Sequence, residues 1–318
     1  MHYDVFNGDA DGICALIQLR LHQSLTSELI TGVKRDIQLL SKISVKPGDS
    51  LTVLDISFSK NSKFVSEFLN AGAAIFYVDH HQIGDLIAHP KLTTRINTDS
   101  AQCTSLLIND YLGGKYPLWA ITAAFGDNVT QSAERLAAKL SLGEDKTNAL
   151  KKLGIYINYN GYGDSVADLH FPPATLYREM AGFASPFDFM LGNPEIYDRL
   201  AQGYSQDMTQ AEAITPEYLT EAIAVYILPE ETWARRVSGV FGNLLMNQDP
   251  SKAYAVLSRN SAEDYQVSVR APANAKGGAD DFCARFETGG GRKLAAGINR
   301  LPKEQLTDFI NRFTDFFR

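Results

Sequence analysis

Six consecutive apolar residues, Ala-Ala-Ile-Phe-Tyr-Val at 73–78, run without interruption into Asp79-His80-His81. A run of this kind, rich in β-branched and aromatic residues and preceded by Gly72, predicts a strand buried on both faces, the habit of parallel sheets. Open α/β sheets bind ligands at the carboxyl ends of such strands. Three adjacent groups able to bind metal or exchange protons near neutrality therefore stand where chemistry is expected. The bland alternative is that the histidines cap or bridge loop backbone.

The same arrangement recurs along the chain. Residues 3–6 predict a short strand, after which Asn7-Gly8-Asp9-Ala10-Asp11-Gly12 leads into an apolar helix over 13–21. Alone, Asp-x-Asp-Gly also suits a turn or a calcium loop, but no Glu closes the loop as an EF-hand requires. Residues 28–33 predict a second strand, 36–43 a short helix, and 50–54 a buried strand ending on Asp55. Ser57 or Ser59 is better placed than Asp55 to cap the helix expected over 60–71. A strand over 92–96 and helices over 103–112 and 118–125 follow, the last ending on Gly126-Asp127-Asn128.

Strand and helix alternating five times predicts an α/β fold with a doubly wound, mostly parallel sheet. Asp9, Asp11, Asp55, His80 and Asp127 then converge on one sheet edge. Carboxylates gathered so closely repel and raise one another's pKa. A pair of divalent cations relieves this, and oxygen ligands with imidazole suit Mn²⁺ or Mg²⁺ better than zinc.

The four motifs Asn7-Gly8-Asp9-Ala10-Asp11-Gly12, Val53-Leu54-Asp55, Val78-Asp79-His80-His81 and Gly126-Asp127-Asn128 resemble, in order and spacing, those of the DHH phosphoesterase superfamily. The resemblance implies a two-ion phosphoesterase. Asp55 would bridge the ions, Asp9 would bind one, and Asp11, His80 and Asp127 the other. His81 would face the substrate phosphate, and Asp79 would either orient the imidazoles or itself ligate. The family commonly has His four residues before the first Asp, or Asp two before it. Here Val5 and Asn7 stand there, so Asn7 would offer the first ion only a neutral carbonyl.

Residues 132–218 turn helical and more polar, with breaks at 158–164 and at Phe171-Pro172-Pro173. Tyr156, Tyr159 and Tyr162 read as core and loop aromatics, with stacking on a base as the alternative. A second lobe is expected from about Ala222: a strand over 224–228, a helix over 230–246, a hairpin over 252–259 and 265–270, and a helix over 279–286. Gly289-Gly290-Gly291-Arg292-Lys293-Leu294-Ala295-Ala296-Gly297 then reads as a tight turn whose backbone N–H groups and cations suit a phosphate. This segment resembles the glycine-rich signature of the DHHA1 substrate-binding domain, with Arg292 in place of its usual His. Arginine holds phosphate bidentately and stays charged. Arg259 and Arg270 are further candidates for a basic wall, or equally for a solvated surface. The expected organisation is a DHH catalytic domain over 1–131, a helical connector over 132–221 and an α/β DHHA1 domain over 222–318, with the active site in the cleft between the domains.

Composition narrows the function. A net charge of −7 and a pI near 5.4 argue against a long electrostatic track on nucleic acid, duplex DNA included. Cys14, Cys103 and Cys283 lack metal-type spacing and read as small buried hydrophobes. No apolar run approaches the roughly 20 residues of a membrane span, and Met1-His2-Tyr3-Asp4 opens no signal peptide, so a cytoplasmic protein is expected. The leading expectation is a Mn²⁺- or Mg²⁺-dependent phosphodiesterase acting on short RNA or DNA oligonucleotides or on a dinucleotide. A processive exonuclease is expected to need an added basic domain, for which the residues up to Arg318 leave no room. A pyrophosphatase is disfavoured by the nuclease-type second lobe. The competing class is a non-catalytic nucleotide binder with a decayed first metal site.

Overall fold

The apolar strands of the amino-terminal half have no polar face to turn to water, and they are covered on both sides. In the computed structural model, which describes residues 1–259 and 262–318, β1 (His2–Phe6), β2 (Glu28–Ile30), β3 (Ser50–Leu54), β4 (Ala74–Asp79) and β5 (Leu92–Ile96) form one sheet. Its order is β2-β1-β3-β4-β5 and every pair is parallel. Val5, Val53 and Tyr77 lie in register across the three central strands, and Phe6, Leu54 and Val78 form the next row. The first row packs with Phe58, Val65 and Phe68 of α2 (Phe58–Asn70). The second packs with Ile13, Leu16 and Ile17 of α1 (Ala10–His22), with Ile108 of α3 (Thr104–Tyr111), and with Trp119 and Ile157 of α4 (Pro117–Gly126) and α6 (Glu144–Asn160). Adjacent rows facing opposite helical layers is the doubly wound arrangement expected from the sequence, and each such side chain contributes about 1.5–3 kcal/mol on burial.

The chain divides into two compact units, Met1–Gly161 with Ser165–Ala201, and Tyr162–Asp164 with Gln202–Arg318. The first also holds α5 (Thr130–Lys139), α7 (Pro173–Ala181) and α8 (Pro186–Gly192). Leu176, Met180 and Phe189 from this stretch join the core under α1. No helix among the described residues is long and apolar enough to cross a membrane. All three cysteines are buried thiols.

After α9 (Pro194–Glu212), the second unit forms a mixed sheet from β6 (Tyr218–Leu219), β7 (Ile223–Ile227), β8 (Ala253–Arg259), β9 (Tyr265–Arg270), β10 (Gly289–Gly291) and β11 (Ala295–Leu301). The order is β10-β11-β9-β8-β7-β6. Among the described residues of this sheet, β7 and β8 pair in parallel, joined through α10 (Thr232–Gln248), and the other pairs are antiparallel. Val225, Leu257 and Val267 pack against Phe282 of α11 (Ala279–Cys283) and against Phe309 and Phe313 of α12 (Leu306–Phe316). The glycine run expected as a tight turn is instead the edge strand β10. The turn comes later, where Arg292 N donates to Ala295 O (2.9 Å) and Ala295 N to Arg292 O (3.1 Å).

Two features of the first unit fix its geometry. A Cβ on Gly154 of α6 would lie 2.0 Å from the Thr122 carbonyl of α4, and one on Gly126 would lie 2.6 Å from the Gly154 carbonyl. The two helices therefore cross backbone to backbone, which sets where α4 ends. Elsewhere, buried Asp4 of β1 accepts hydrogen bonds from Arg20 Nε (2.8 Å) and Ser27 Oγ (2.6 Å), with His2 Nε2 at 3.2 Å. Burial pushes the Asp4 carboxyl up, but Arg20, His2 and Ser27 outweigh it, and its pKa lies below the ordinary 3.8.

Gly154→Ala is expected to destabilise the protein by about 1–3 kcal/mol, the usual cost of overpacking, whereas Gly182→Ala, whose Cβ would meet nothing within 4 Å, is expected to change denaturant stability little. Because the Asp4 pKa is depressed on folding, its contribution is complete above pH 3.8 and is lost as pH falls through the folded value. Asp4→Ala leaves the half-buried Arg20 without its carboxylate partner, at a cost of about 1–3 kcal/mol. Urea titrations at neutral pH and at successively lower pH should show the gap between wild type and this variant closing only in acid.

Candidate metal centre

The row Phe6–Leu54–Val78 is followed on each strand by a polar residue: Asn7, Asp55 and Asp79. Three neighbouring parallel strands thus end side by side on amide and carboxylate groups. Asp9 begins α1 as its N-cap, its Oδ1 accepting from the backbone N–H of Asp11 (3.0 Å) and Gly12 (3.1 Å). Asp127 caps the carboxyl end of α4. Asp55 and Asn128 hold left-handed backbone, with φ of 59° and 60°, a conformation that costs a non-glycine residue about 1–3 kcal/mol and concentrates at functional sites.

The side chains meet at His80. Its Nδ1 lies 3.0 Å from the Gln102 carbonyl, which can only accept, so the proton sits on Nδ1. Nε2 then faces Asp55 Oδ1 at 3.2 Å and the Oδ2 atoms of Asp11 and Asp127 at 3.7 Å each. One ligand atom from each of Asp11, His80 and Asp127 lies within 4.8 Å of the others, and so does one from each of Asp55, His80 and His81. None of Asp9, Asp11, Asp55, His80 and Asp127 is more than 8% exposed. A lone pair ringed by buried carboxylates is unfavourable without a cation between them. An imidazole held by a carbonyl on its far nitrogen is the usual state of a metal-ligating histidine. Asn7 Oδ1 is also buried with no hydrogen-bond partner among the described residues. The donor set fits a hard divalent cation such as Mn²⁺ or Mg²⁺.

Each carboxylate has a distinct environment. Asp11 sits on the amino terminus of α3, accepting from Thr104 N and Ser105 N, each at 2.7 Å, where the helix dipole favours negative charge. Burial, together with Asp11, Asp9 and Asp127, drives the Asp55 pKa well above the ordinary carboxylate range. Burial also pushes Asp9 upward, but the Lys34 ammonium and the Gly12 N–H outweigh it, and Asp9 is lowered. Asp79 Oδ1 accepts from His80 N (2.8 Å), His81 N (3.2 Å) and His81 Nδ1 (2.7 Å), while Oδ2 accepts Phe58 N (3.1 Å) at the start of α2. The cap expected from Ser57 or Ser59 is therefore supplied by Asp79; Ser57 is the N-cap residue but makes no capping hydrogen bond. Burial pushes the Asp79 pKa up, but attraction to the His81 imidazole, together with these bonds and His80, outweighs it and lowers the pKa.

Sequence reasoning missed Lys34. Its ammonium bonds Asp9 and Asn158 Oδ1 (3.0 Å) and lies 3.5 Å from Asp127 Oδ1. Its backbone is fixed too: Lys34 N donates to Gly161 O (2.7 Å), and Lys34 O accepts from Asn7 Nδ2 (3.1 Å). The available signal was its position just past β2, at the same sheet edge as the acidic motifs.

The remaining expected residues lie in the second unit. Gly289, Gly290 and Gly291 form edge strand β10, and Arg292 opens the turn to β11. Arg270 is only 6% exposed. It donates to Asn243 Oδ1 (2.6 Å), Val269 O (3.0 Å) and Gly239 O (2.9 Å), tying β9 to α10. Arg259 lies beside Glu230 (3.5 Å) and over the Tyr265 ring.

A bound cation stabilises a fold by mass action, about 2.7 kcal/mol at a hundred times its Kd. Mn²⁺ is therefore expected to raise the melting temperature of wild type, and His80→Ala or Asp127→Asn to remove that gain. A gain unchanged in both variants would put the ion elsewhere.

No family model matches the sequence, and no curated protein matches it. Solved structures do. An exonuclease RecJ bound to manganese has a TM-score of 0.62 at 14% identity, with 99% of this chain and 89% of that one covered. A Mn²⁺ complex of RecJ from Thermus thermophilus has a TM-score of 0.61 at 14% identity, where 99% of this chain spans 51% of that one. The pGpG-specific phosphodiesterase PggH from Vibrio cholerae has a TM-score of 0.56 at 13% identity, with 99% of both chains covered. Identities this low speak to fold alone: this chain, with strands that end at Asn7, Asp55 and Asp79, shares the fold of the RecJ exonucleases and of the pGpG-specific phosphodiesterase.

Proposed function

We propose that this chain is a divalent-metal-dependent phosphodiesterase of the DHH superfamily, hydrolysing short oligonucleotides or dinucleotides. The observation that carries this reading is the convergence of Asp11, Asp55 and Asp127 on His80 Nε2. Similarity to an exonuclease and to a pGpG-specific phosphodiesterase agrees with it. A net charge of −7 favours a short substrate over a long strand.

In this reading Asp11, His80 and Asp127 would hold one Mn²⁺ or Mg²⁺ ion; Asp9 would hold a second, with Asn7 offering it a neutral carbonyl and Asp55 shared between the two. Divalent ions there supply positive charge for phosphoryl oxygens and acidify water enough to lose a proton near neutrality. The protein's part is positional. Asp79 pins His81 through Nδ1, so the other ring nitrogen is the one His81 has for a substrate phosphate or a proton. We read Asp79 as a positioning residue, a role that the donors on both of its oxygens support. The backbone of β10 and the Arg292 side chain are the proposed phosphate contacts of the second unit. Arg270 we assign to bracing β9 against α10.

The test is release of mononucleotides from RNA and DNA oligomers, from dinucleotides upward, with Mn²⁺ or Mg²⁺. Turnover is expected to concentrate on the shortest members, to vanish in Asp55→Ala, and to fall about 10–100-fold in Asp79→Asn. Absence of turnover across the panel by folded, metal-loaded protein would replace this reading with a nucleotide-binding one.

A further inference from the structure

The two oxygens of Asp127 face different ways. Oδ2 is 3.7 Å from His80 Nε2, whereas Oδ1 is 3.5 Å from Lys34 Nζ. Asp9 divides its carboxylate likewise: Oδ1 is occupied by the cap of α1, and Oδ2 takes the Lys34 ammonium. Among the described residues, the groups able to gather three ligand atoms include Asp11, Asp55, His80, His81 and Asp127 but not Asp9. The Asp9 side of the site is thus already neutralised from within the chain. The lysine is no stray surface group: its side chain is 21% exposed, its backbone is anchored at N–H and carbonyl, and Asn158 supplies a third oxygen to the ammonium.

We infer that Lys34 is a built-in cation that occupies the Asp9 position, so that the resting protein holds a single divalent ion, on the His80 side, and admits a second only by displacing the lysine. This rests on the metal-dependent reading above. An ammonium brings one charge and three N–H donors but no open coordination position. It can balance Asp9 and Asp127 without doing the work of an ion there. Asn7, at the position where the resemblance would offer an Asp, fits the same picture, since its amide donates to the Lys34 carbonyl and adds no negative charge that a lone ammonium would leave unbalanced.

The test counts metal without substrate. Protein equilibrated with Mn²⁺ and desalted is expected to carry one ion per chain in wild type and in Lys34→Arg, and two in Lys34→Met, which keeps the length of the stem and removes the charge. Electron paramagnetic resonance on the same samples should show an isolated Mn²⁺ in wild type and a spin-coupled pair in Lys34→Met. Wild type alone can overturn the idea: two tightly held, coupled ions would mean that Lys34 fills no cation position. A count that stays at one in folded Lys34→Met would also overturn it. No ion in either protein would remove the phosphodiesterase reading as well, whereas two in wild type removes only this inference.

Discussion

Four carboxylates, those of Asp9, Asp11, Asp55 and Asp127, share one buried space with the imidazole of His80. Like charges at these separations, withdrawn from water, repel strongly. The surrounding structure reads as a set of answers to that repulsion. The first turn of α3 gives two N–H groups to Asp11, the first turn of α1 gives two to Asp9, and Lys34 reaches in from the loop after β2. Among the described residues, no pair of backbone N–H groups or ammonium serves Asp55 in the same way. Thr104 Oγ1 donates to it at 3.3 Å, and burial with the neighbouring carboxylates drives its pKa well up. The charge left over marks where an added cation gains most.

The fold makes this concentration possible at modest cost. Parallel strands covered on both faces must have apolar interiors, and they release the polar character of the chain only at their ends. With β1, β3 and β4 adjacent and in register, three such ends fall together. The backbone-to-backbone crossing of α4 and α6 at Gly126 and Gly154 then fixes where Asp127 emerges. A side chain at either glycine would separate the helices and carry that carboxylate away from His80.

Sequence legibility followed side-chain pattern. The sheet and the group Asp9, Asp11, Asp55, His80 and Asp127 were readable because apolar runs stopping on acidic residues state both burial and position. Lys34 carried no such pattern: a lysine in a loop belongs to no periodicity, and its partner Asn158 is 124 residues distant in the chain. Glycines 289–291 have no side chains with which to announce a strand, and pairing with β11 supplied one. Arg270 read as a candidate for a basic wall or a solvated surface because its partners on α10, Gly239 and Asn243, lie 31 and 27 residues upstream and belong to no pattern around it.

Asp79 joins two things that a list of ligands would keep separate. One of its oxygens holds the first amide of α2 and the other holds the ring of His81. Scaffold and reactive group are therefore coupled through a single carboxylate. Fraying the first turn of α2 would change the hydrogen bonding that sets the His81 ring while every proposed metal ligand stayed in place. The orientation of that imidazole is thus a local property of one helix end, and it can be lost well before the sheet beneath it gives way.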